Sequence, residues 1–405
     1  MANLYKEISG GVTAPQGFLA SGVTGGIKKS GKKDTALIYS QSPAKVASVF
    51  TTNQCAASCV HLNKENIKDG LAQAIIVNSG NANACTGERG YQDSQEMIGF
   101  TAEKLGIEKE QVLVASTGII GEFLEMDKVK AGIDKAVADL SQSGGQKAAE
   151  AIMTTDTYAK ELAIEFELGD KTVKLGGIAK GSGMIEPNMA TMLGFLTTDI
   201  AIDSSLLQEA LVEAVNQSFN RITVDGDQST NDMVTVLANG KAKNPTITNK
   251  DEDYNTFLGA LKYICTYLAH QIVRDGEGAT KFIEVEIKGT QSLKKATKIA
   301  KQIANSQLVK TAMFGQDPNW GRIIMAIGAS GVELDLSKVE IKINDLVLLE
   351  QGERVIEHEA ETKANLLNDE EIKIEVNLNL GEYSDKVWTC DLSYKYVEIN
   401  AEYHT

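Results

Sequence analysis

Features that would break, staple or anchor the chain are scarce in this sequence. Five prolines occur in 405 residues, with no repeat or low-complexity tract, so repeat architectures are excluded and the interleaved strands and helices point to a mixed α/β fold. The five cysteines (Cys55, Cys59, Cys85, Cys265 and Cys390) are odd in number and scattered among apolar neighbours. That pattern predicts reduced, buried thiols rather than a disulfide framework. The four histidines, His61, His270, His358 and His404, lie far apart. Cys55 and Cys59 with nearby His61 therefore lack a second cluster to complete a metal site, and the histidines are expected at the surface. No Gly-x-Ser-x-Gly elbow occurs, which leaves little support for a serine hydrolase with a histidine base.

Long apolar runs are missing as well. No stretch approaches the roughly 20 residues that span a bilayer. Residues 1–7 lack the basic and apolar segments of a secretory signal, so a cytoplasmic protein without a membrane partner is expected. Positive charge is in deficit: 40 basic against 55 acidic residues give a net charge of −15. Phosphate backbones are repelled by such a chain, so nucleic acid is excluded as a partner and small metabolites are favoured.

At this length the chain suits a two-lobed globular enzyme. Ala74-Ile75-Ile76-Val77 and Val112-Leu113-Val114-Ala115 read as buried strands that run into loops containing Gly, Ser or Thr, which are candidate site walls. Leu207, Leu211, Val215 and Phe219 recur at helical spacing behind Asp203 and serines that could cap, predicting an amphipathic helix over 203–219. Ile283, Val285 and Ile287, and again Ile372, Ile374, Val376 and Leu378, alternate with polar residues, predicting strands with one wet face. Residues 26–32 fit most of a phosphate-binding loop. However, Lys33 stands where a Ser or Thr would hold magnesium, and the segment precedes a strand instead of following one, so a solvated basic loop is the better reading.

The densest unusual stretch covers residues 176–199. Its glycines permit close or strained backbone, and Pro187 stops a strand before a small residue, a threonine and a new strand. Taken alone, Thr191 is a β-branched residue opening a strand. Lys180-Gly181-Ser182-Gly183-Met184-Ile185-Glu186-Pro187-Asn188-Met189-Ala190-Thr191-Met192-Leu193, however, resembles the self-processing signature of the ornithine acetyltransferase (glutamate N-acetyltransferase) family. Residues 11–15, 78–83, 116–121, 225–232, 275–281, 314–322 and 400–403 also resemble landmarks of that family, in the same order. The resemblance spans essentially the whole chain.

That resemblance implies cleavage between Ala190 and Thr191, giving an α chain of residues 1–190 and a β chain of residues 191–405. It implies a fold shared by ornithine acetyltransferase and a self-processing aminopeptidase, and a heterotetramer of two α and two β chains. Thr191 would be the nucleophile, with Thr117 and Gly118 as the oxyanion hole. Thr154, Lys180, Thr191, Glu277, Asn400 and Thr405 would contact substrate. The chemistry is sensible: an N-terminal threonine carries its own base, an α-amine whose reference pKa is near 7.7–8.0. Lys180 suits a carboxylate and Glu277 an ammonium group. The C-terminus departs slightly from the family pattern, with His404 where arginine is expected and Glu402 where aspartate is commoner. The implied reaction moves acetyl from N2-acetylornithine to glutamate through an acetyl-Thr191 intermediate, without cofactor or metal; some family members also accept acetyl-CoA, and no residue here discriminates. Two other readings stay open. One is an amidase with the same nucleophile, in which water resolves the acyl-enzyme; the other is an uncleaved metabolite-binding protein in which Thr191 is strand core.

Overall fold

Apolar side chains point both ways along most of the early strands, so those strands need cover on both faces. The computed structural model, which describes residues 5–186 and 192–402, supplies it. Among the described residues the larger sheet has nine strands. In pairing order they are Lys6–Ile8, Lys160–Leu168, Lys171–Lys180, Leu193–Thr198, Met233–Ala238, Thr35–Phe50, Leu71–Asn81 and Val112–Ile119, with Phe18–Val23 also pairing with Thr35–Phe50. The two runs expected as buried strands are thus neighbours in parallel register, Ala74 beside Val112 and Val77 beside Ala115.

The long strand Thr35–Phe50 turns this sheet back on itself. Its first half pairs with Phe18–Val23 and Leu71–Asn81, its second half with Met233–Ala238, and the register against Leu71–Asn81 breaks between Tyr39 and Ala44. Ile178, Leu193 and Phe195 consequently share one core with Ile75, Ile76 and Leu113, although their strands are far apart in the pairing order. Helices Gly87–Leu105, Met126–Ala138 and Gly145–Ile152 close that core. A second core forms where Ser204–Asn216 and Glu252–Arg274 cover the opposite face.

The first of these two helices matches the predicted one except that it ends at Asn216, with Phe219 opening a separate 3-10 turn; Leu207, Leu211, Val215 and Phe219 are all buried. Asp203 stands at its N-cap but makes no side-chain cap hydrogen bond, whereas the Asp251 carboxylate accepts the Tyr254 N–H at the start of the longer helix. The smaller sheet runs Glu353–Arg354, Leu346–Glu350, Glu340–Ile343, Glu371–Asn377, Phe282–Thr290 and Tyr383–Cys390. Its isoleucines and valines face helices Leu293–Ala304, Gln307–Phe314 and Trp320–Ala329. The opposite face is wet and laced by ion pairs such as Lys373–Glu286 at 2.8 Å and Lys288–Glu375 at 2.7 Å. The expected mixed α/β fold in two lobes is therefore what the chain adopts.

Three expectations need correction. Cys59, Cys265 and Cys390 are buried, but Cys55 and Cys85 are exposed, because both sit in turns that lead into helices at the surface. The loop before Thr35–Phe50 is not simply solvated: the Asp34 carboxylate accepts the N–H groups of Gly25, Gly26, Ile27 and Lys28 at 2.6–3.1 Å. The nest that a phosphate would need is filled by the chain itself. Lys28 turns inward and donates to the Lys33 and Met153 carbonyls, each at 2.7 Å.

His270 is the third. His61 is exposed and His404 lies outside the described residues, but His270 is packed against Trp388 and Phe282, with ring centroids 4.4 and 5.1 Å away. Burial, and then the charge of Arg274, lower its pKa to about 4. A base held neutral in this way contributes stability that is complete above its unfolded pKa of about 6.5 and is lost as pH falls through 4, at most about 3 kcal/mol. Thermal melts between pH 8 and pH 4 should show that loss in the native protein and a flatter profile in His270→Gln. An identical profile in the variant would contradict it.

Candidate active site

The chain gathers its buried charges at one end of the folded-back sheet. Lys160, which opens strand Lys160–Leu168, is 1% exposed and extends its ammonium between two carboxylates, Asp156 Oδ1 at 2.7 Å and Asp275 Oδ2 at 2.5 Å. Each carboxylate then holds backbone. Asp156 accepts the N–H of Gly181 at 2.7 Å and of Thr154 at 2.9 Å, while Asp275 accepts the Thr157 N–H at 3.0 Å. One ammonium group thereby fixes the turn bearing Thr154, the exit from strand Lys171–Lys180 and the turn leading to Glu277. Burial alone would raise the Asp156 pKa, but the Lys160 and Lys180 charges outweigh it and hold the carboxyl well below the usual range.

Thr117 and Gly118 lie near the end of the edge strand Val112–Ile119. Gly118 has φ +132°, and a Cβ there would lie 2.4 Å from the Gly80 carbonyl carbon. Only glycine fits that close approach. Below the turn, the Asn231 side chain donates to the Ala82 and Ser116 carbonyls at 2.6 and 2.9 Å, and the Ser116 hydroxyl donates to Asn78 at 2.6 Å. Across it, the Lys180 ammonium donates to the Thr117 hydroxyl at 3.2 Å. Desolvation pulls the Lys180 pKa down, opposed by Asp156 and Asp232.

Glu277 is 8% exposed and accepts from Asn400 Nδ2 at 2.7 Å, so the C-terminal helix Tyr394–Glu402 closes one side. Gly183 leaves room for that carboxylate, since a Cβ there would meet it at 2.5 Å. Thr117, Gly118, Thr154, Lys180, Glu277 and Asn400, named from the sequence, all line one cavity. Lys180 and Glu277 are buried there instead of being the surface charges that such residues usually are. Ala190, Thr191 and Thr405 lie outside the described residues.

The flanks of residues 187–191 are pinned. On one side the Asp225 carboxylate accepts the Met184 and Ile185 N–H groups at 2.6 and 2.8 Å; on the other the Met192 carbonyl accepts the Met233 N–H at 2.9 Å. Residues 314–322 do not line the cavity; Phe314 instead meets Tyr394 edge-on, with ring centroids 5.5 Å apart. Nothing in the sequence pattern alone marks Asp156, Lys160, Asp275, Asn231 or Asp232 for a role. The signal available for three of them was their place in the 225–232 and 275–281 landmarks.

The mixed α/β frame thus buries opposite charges, Lys180 and Glu277, in the wall of one cavity, the setting of a candidate active site. The comparisons with known proteins give the chain's family. A model described as the ArgJ family matches residues 19–405. The arginine biosynthesis bifunctional protein ArgJ of Symbiobacterium thermophilum is 52% identical over 400 residues, covering 98% of this chain and 99% of that one. Its counterpart from a Synechococcus species is 48% identical over 414 residues, covering 100% of both. A crystal structure of arginine biosynthesis bifunctional protein argJ from Bacillus halodurans is 52% identical over 52% of this chain and 98% of its own, with a TM-score of 0.50. The chain belongs to the ArgJ family, the ornithine acetyltransferase family that its motifs resemble, and is an acyltransferase of that family.

The site's dependence on Lys160 is open to test. Lys160→Met keeps the volume but leaves two buried carboxylates facing each other, which should cost about 3–5 kcal/mol in denaturant unfolding. Adding Asp156→Asn and Asp275→Asn should recover part of it. A single variant as stable as the parent would show that the ammonium does not hold these turns.

Proposed function

We propose that the protein transfers acetyl from N2-acetylornithine to glutamate by a ping-pong cycle through an acetyl ester on Thr191, releasing ornithine and N-acetylglutamate in arginine biosynthesis. The observation that carries this reading is the Lys180–Thr117 contact of 3.2 Å. It sets a buried cation beside the Gly118 turn, with Glu277 in the same cavity, as an amino acid of mixed charge requires.

In acylation the Thr191 hydroxyl attacks the acetamide carbonyl, its proton passing to the Thr191 α-amine. Thr117 and Gly118 receive the oxyanion, an interaction typically worth about 3–4 kcal/mol for one donor. Lys180 takes the substrate carboxylate and Glu277, steadied by Asn400, the side-chain ammonium of ornithine; Thr154 and Thr405 complete the contacts. Glutamate then attacks the acetyl ester. Acetyl-CoA is a second acetyl donor in this reading, since the relatives are named bifunctional.

The nucleophile's free amine requires the chain to be cut before Thr191, into residues 1–190 and 191–405. The coverage of the Bacillus halodurans structure favours this, for its chain is matched over 98% of its length yet spans only 52% of this one. A cut before Thr191 divides 405 residues almost in half. The two pieces stay together as a cytoplasmic heterotetramer of two α and two β chains.

The native protein should run as two chains on a denaturing gel and consume N2-acetylornithine in proportion to added glutamate. Thr191→Ala should give one full-length chain and no transfer. Normal cutting of the alanine variant would overturn the proposal. Glutamate-independent release of acetate would make the enzyme an amidase instead.

A further inference from the structure

The acetyl-transfer cycle leaves one buried acid in the cavity without a task. Asp232 is 3% exposed and lines the same cavity as Thr117, Lys180 and Glu277. Its Oδ2 is buried with no hydrogen-bond partner among the described residues. A buried carboxyl oxygen without a donor costs about 1–3 kcal/mol or more, so an unused one in a cavity wall calls for a ligand. Its location is specific too. Asp232 precedes Met233, whose N–H donates to the Met192 carbonyl at 2.9 Å, so the acid stands beside the residue bonded to Thr191.

The cycle has a proton to place at this point. Glutamate arrives with its α-amine protonated and cannot attack until that proton leaves. Ornithine departs as an amine that must gain one. The Thr191 α-amine is occupied with the threonine's own proton in both half-reactions.

We infer that Asp232 is a second catalytic residue, whose free oxygen takes the proton from the incoming glutamate ammonium and returns it to the departing ornithine amine. This rests on the acetyl-transfer reading above. In deacylation the glutamate ammonium gives one proton to the Asp232 carboxylate. Its nitrogen then bonds to the acetyl carbon, the bond from that carbon to the Thr191 oxygen breaks, and the second nitrogen proton reaches that oxygen through the α-amine. In acylation the amide C–N bond breaks, the threonine proton passes through the α-amine to the leaving nitrogen, and the Asp232 carboxylic acid supplies the third proton of the ornithine ammonium. Asp232 ends each full cycle as it began.

The surroundings suit a carboxyl that works in both forms. Burial pushes its pKa well above the usual carboxylate range, moderated by the Ser229 side chain and by Lys180, the ionised group that faces it from strand Lys171–Lys180. Asp156, Lys160 and Glu277 act in turn on Lys180, and Asp225 and Asp227 share the cavity wall on its own segment.

The test loads the enzyme with acetyl from p-nitrophenyl acetate, whose leaving group needs no proton, and follows deacylation by two acceptors. Glutamate requires deprotonation; hydroxylamine is already neutral near pH 7. In Asp232→Asn the glutamate step should fall about 10²-fold or more in kcat, while the hydroxylamine step stays within about threefold of the parent. Asp232→Glu should recover part of the glutamate rate. Retained glutamate transfer, or equal loss with both acceptors in a folded and cut variant, overturns the inference. If the asparagine variant does not fold, the native enzyme decides: its kcat/KM for glutamate should level off at a pH below the pKa of the free glutamate amine. A rate that follows the free amine to that pKa overturns the assignment. A native enzyme that deacylates with hydroxylamine but never with glutamate sinks the acetyl-transfer reading, and this inference with it.

Discussion

A single buried ammonium, that of Lys160, is the constraint from which the geometry of the site follows. An isolated charge at 1% exposure would be prohibitively costly, and Lys160 is tolerable only because Asp156 and Asp275 close on it at 2.7 and 2.5 Å. Those carboxylates have lone pairs to spare and use them on backbone N–H groups at Thr154, Thr157 and Gly181. Three turns from distant parts of the sequence are thus referred to one point. The strands alone could not place them, because a strand end leaves its following loop free.

The folded-back sheet does the second part of the positioning. Thr35–Phe50 changes partners along its length, which brings the end of Val112–Ile119 over the end of Lys171–Lys180. Only then can the Lys180 ammonium reach the Thr117 hydroxyl. Lys180, Glu277 and Asp232 are all buried at that junction, so their charges act on one another with little screening.

Local patterning made the frame legible from sequence. The 74–77 and 112–115 runs, the helix behind Asp203 and the alternating isoleucines of the smaller sheet all stand where their spacing put them. The six cavity residues were legible through motif resemblance, since nothing in the spacing of Thr117, Lys180 and Asn400 brings them together. What escaped were interactions across long stretches of sequence. His270 is half-buried on its helix because Trp388, from a distant strand, lies against it; the phosphate-like loop is closed because Asp34 bends into its own nest; and Lys160 reads as an ordinary strand-edge lysine until Asp275 is beside it. Cys55 and Cys85 misled for the opposite reason, as apolar neighbours in sequence do not bury a residue in a turn.

The central claim is that acetyl rests on the threonine at the head of the second chain. Mixing the protein with N2-acetylornithine in the absence of glutamate and measuring the intact mass of each chain tests it directly. The account predicts one added acetyl on the fragment that begins at Thr191, removed when glutamate is supplied. An unmodified fragment in a protein that turns over both substrates, or an acetyl group carried on residues 1–190, would contradict it.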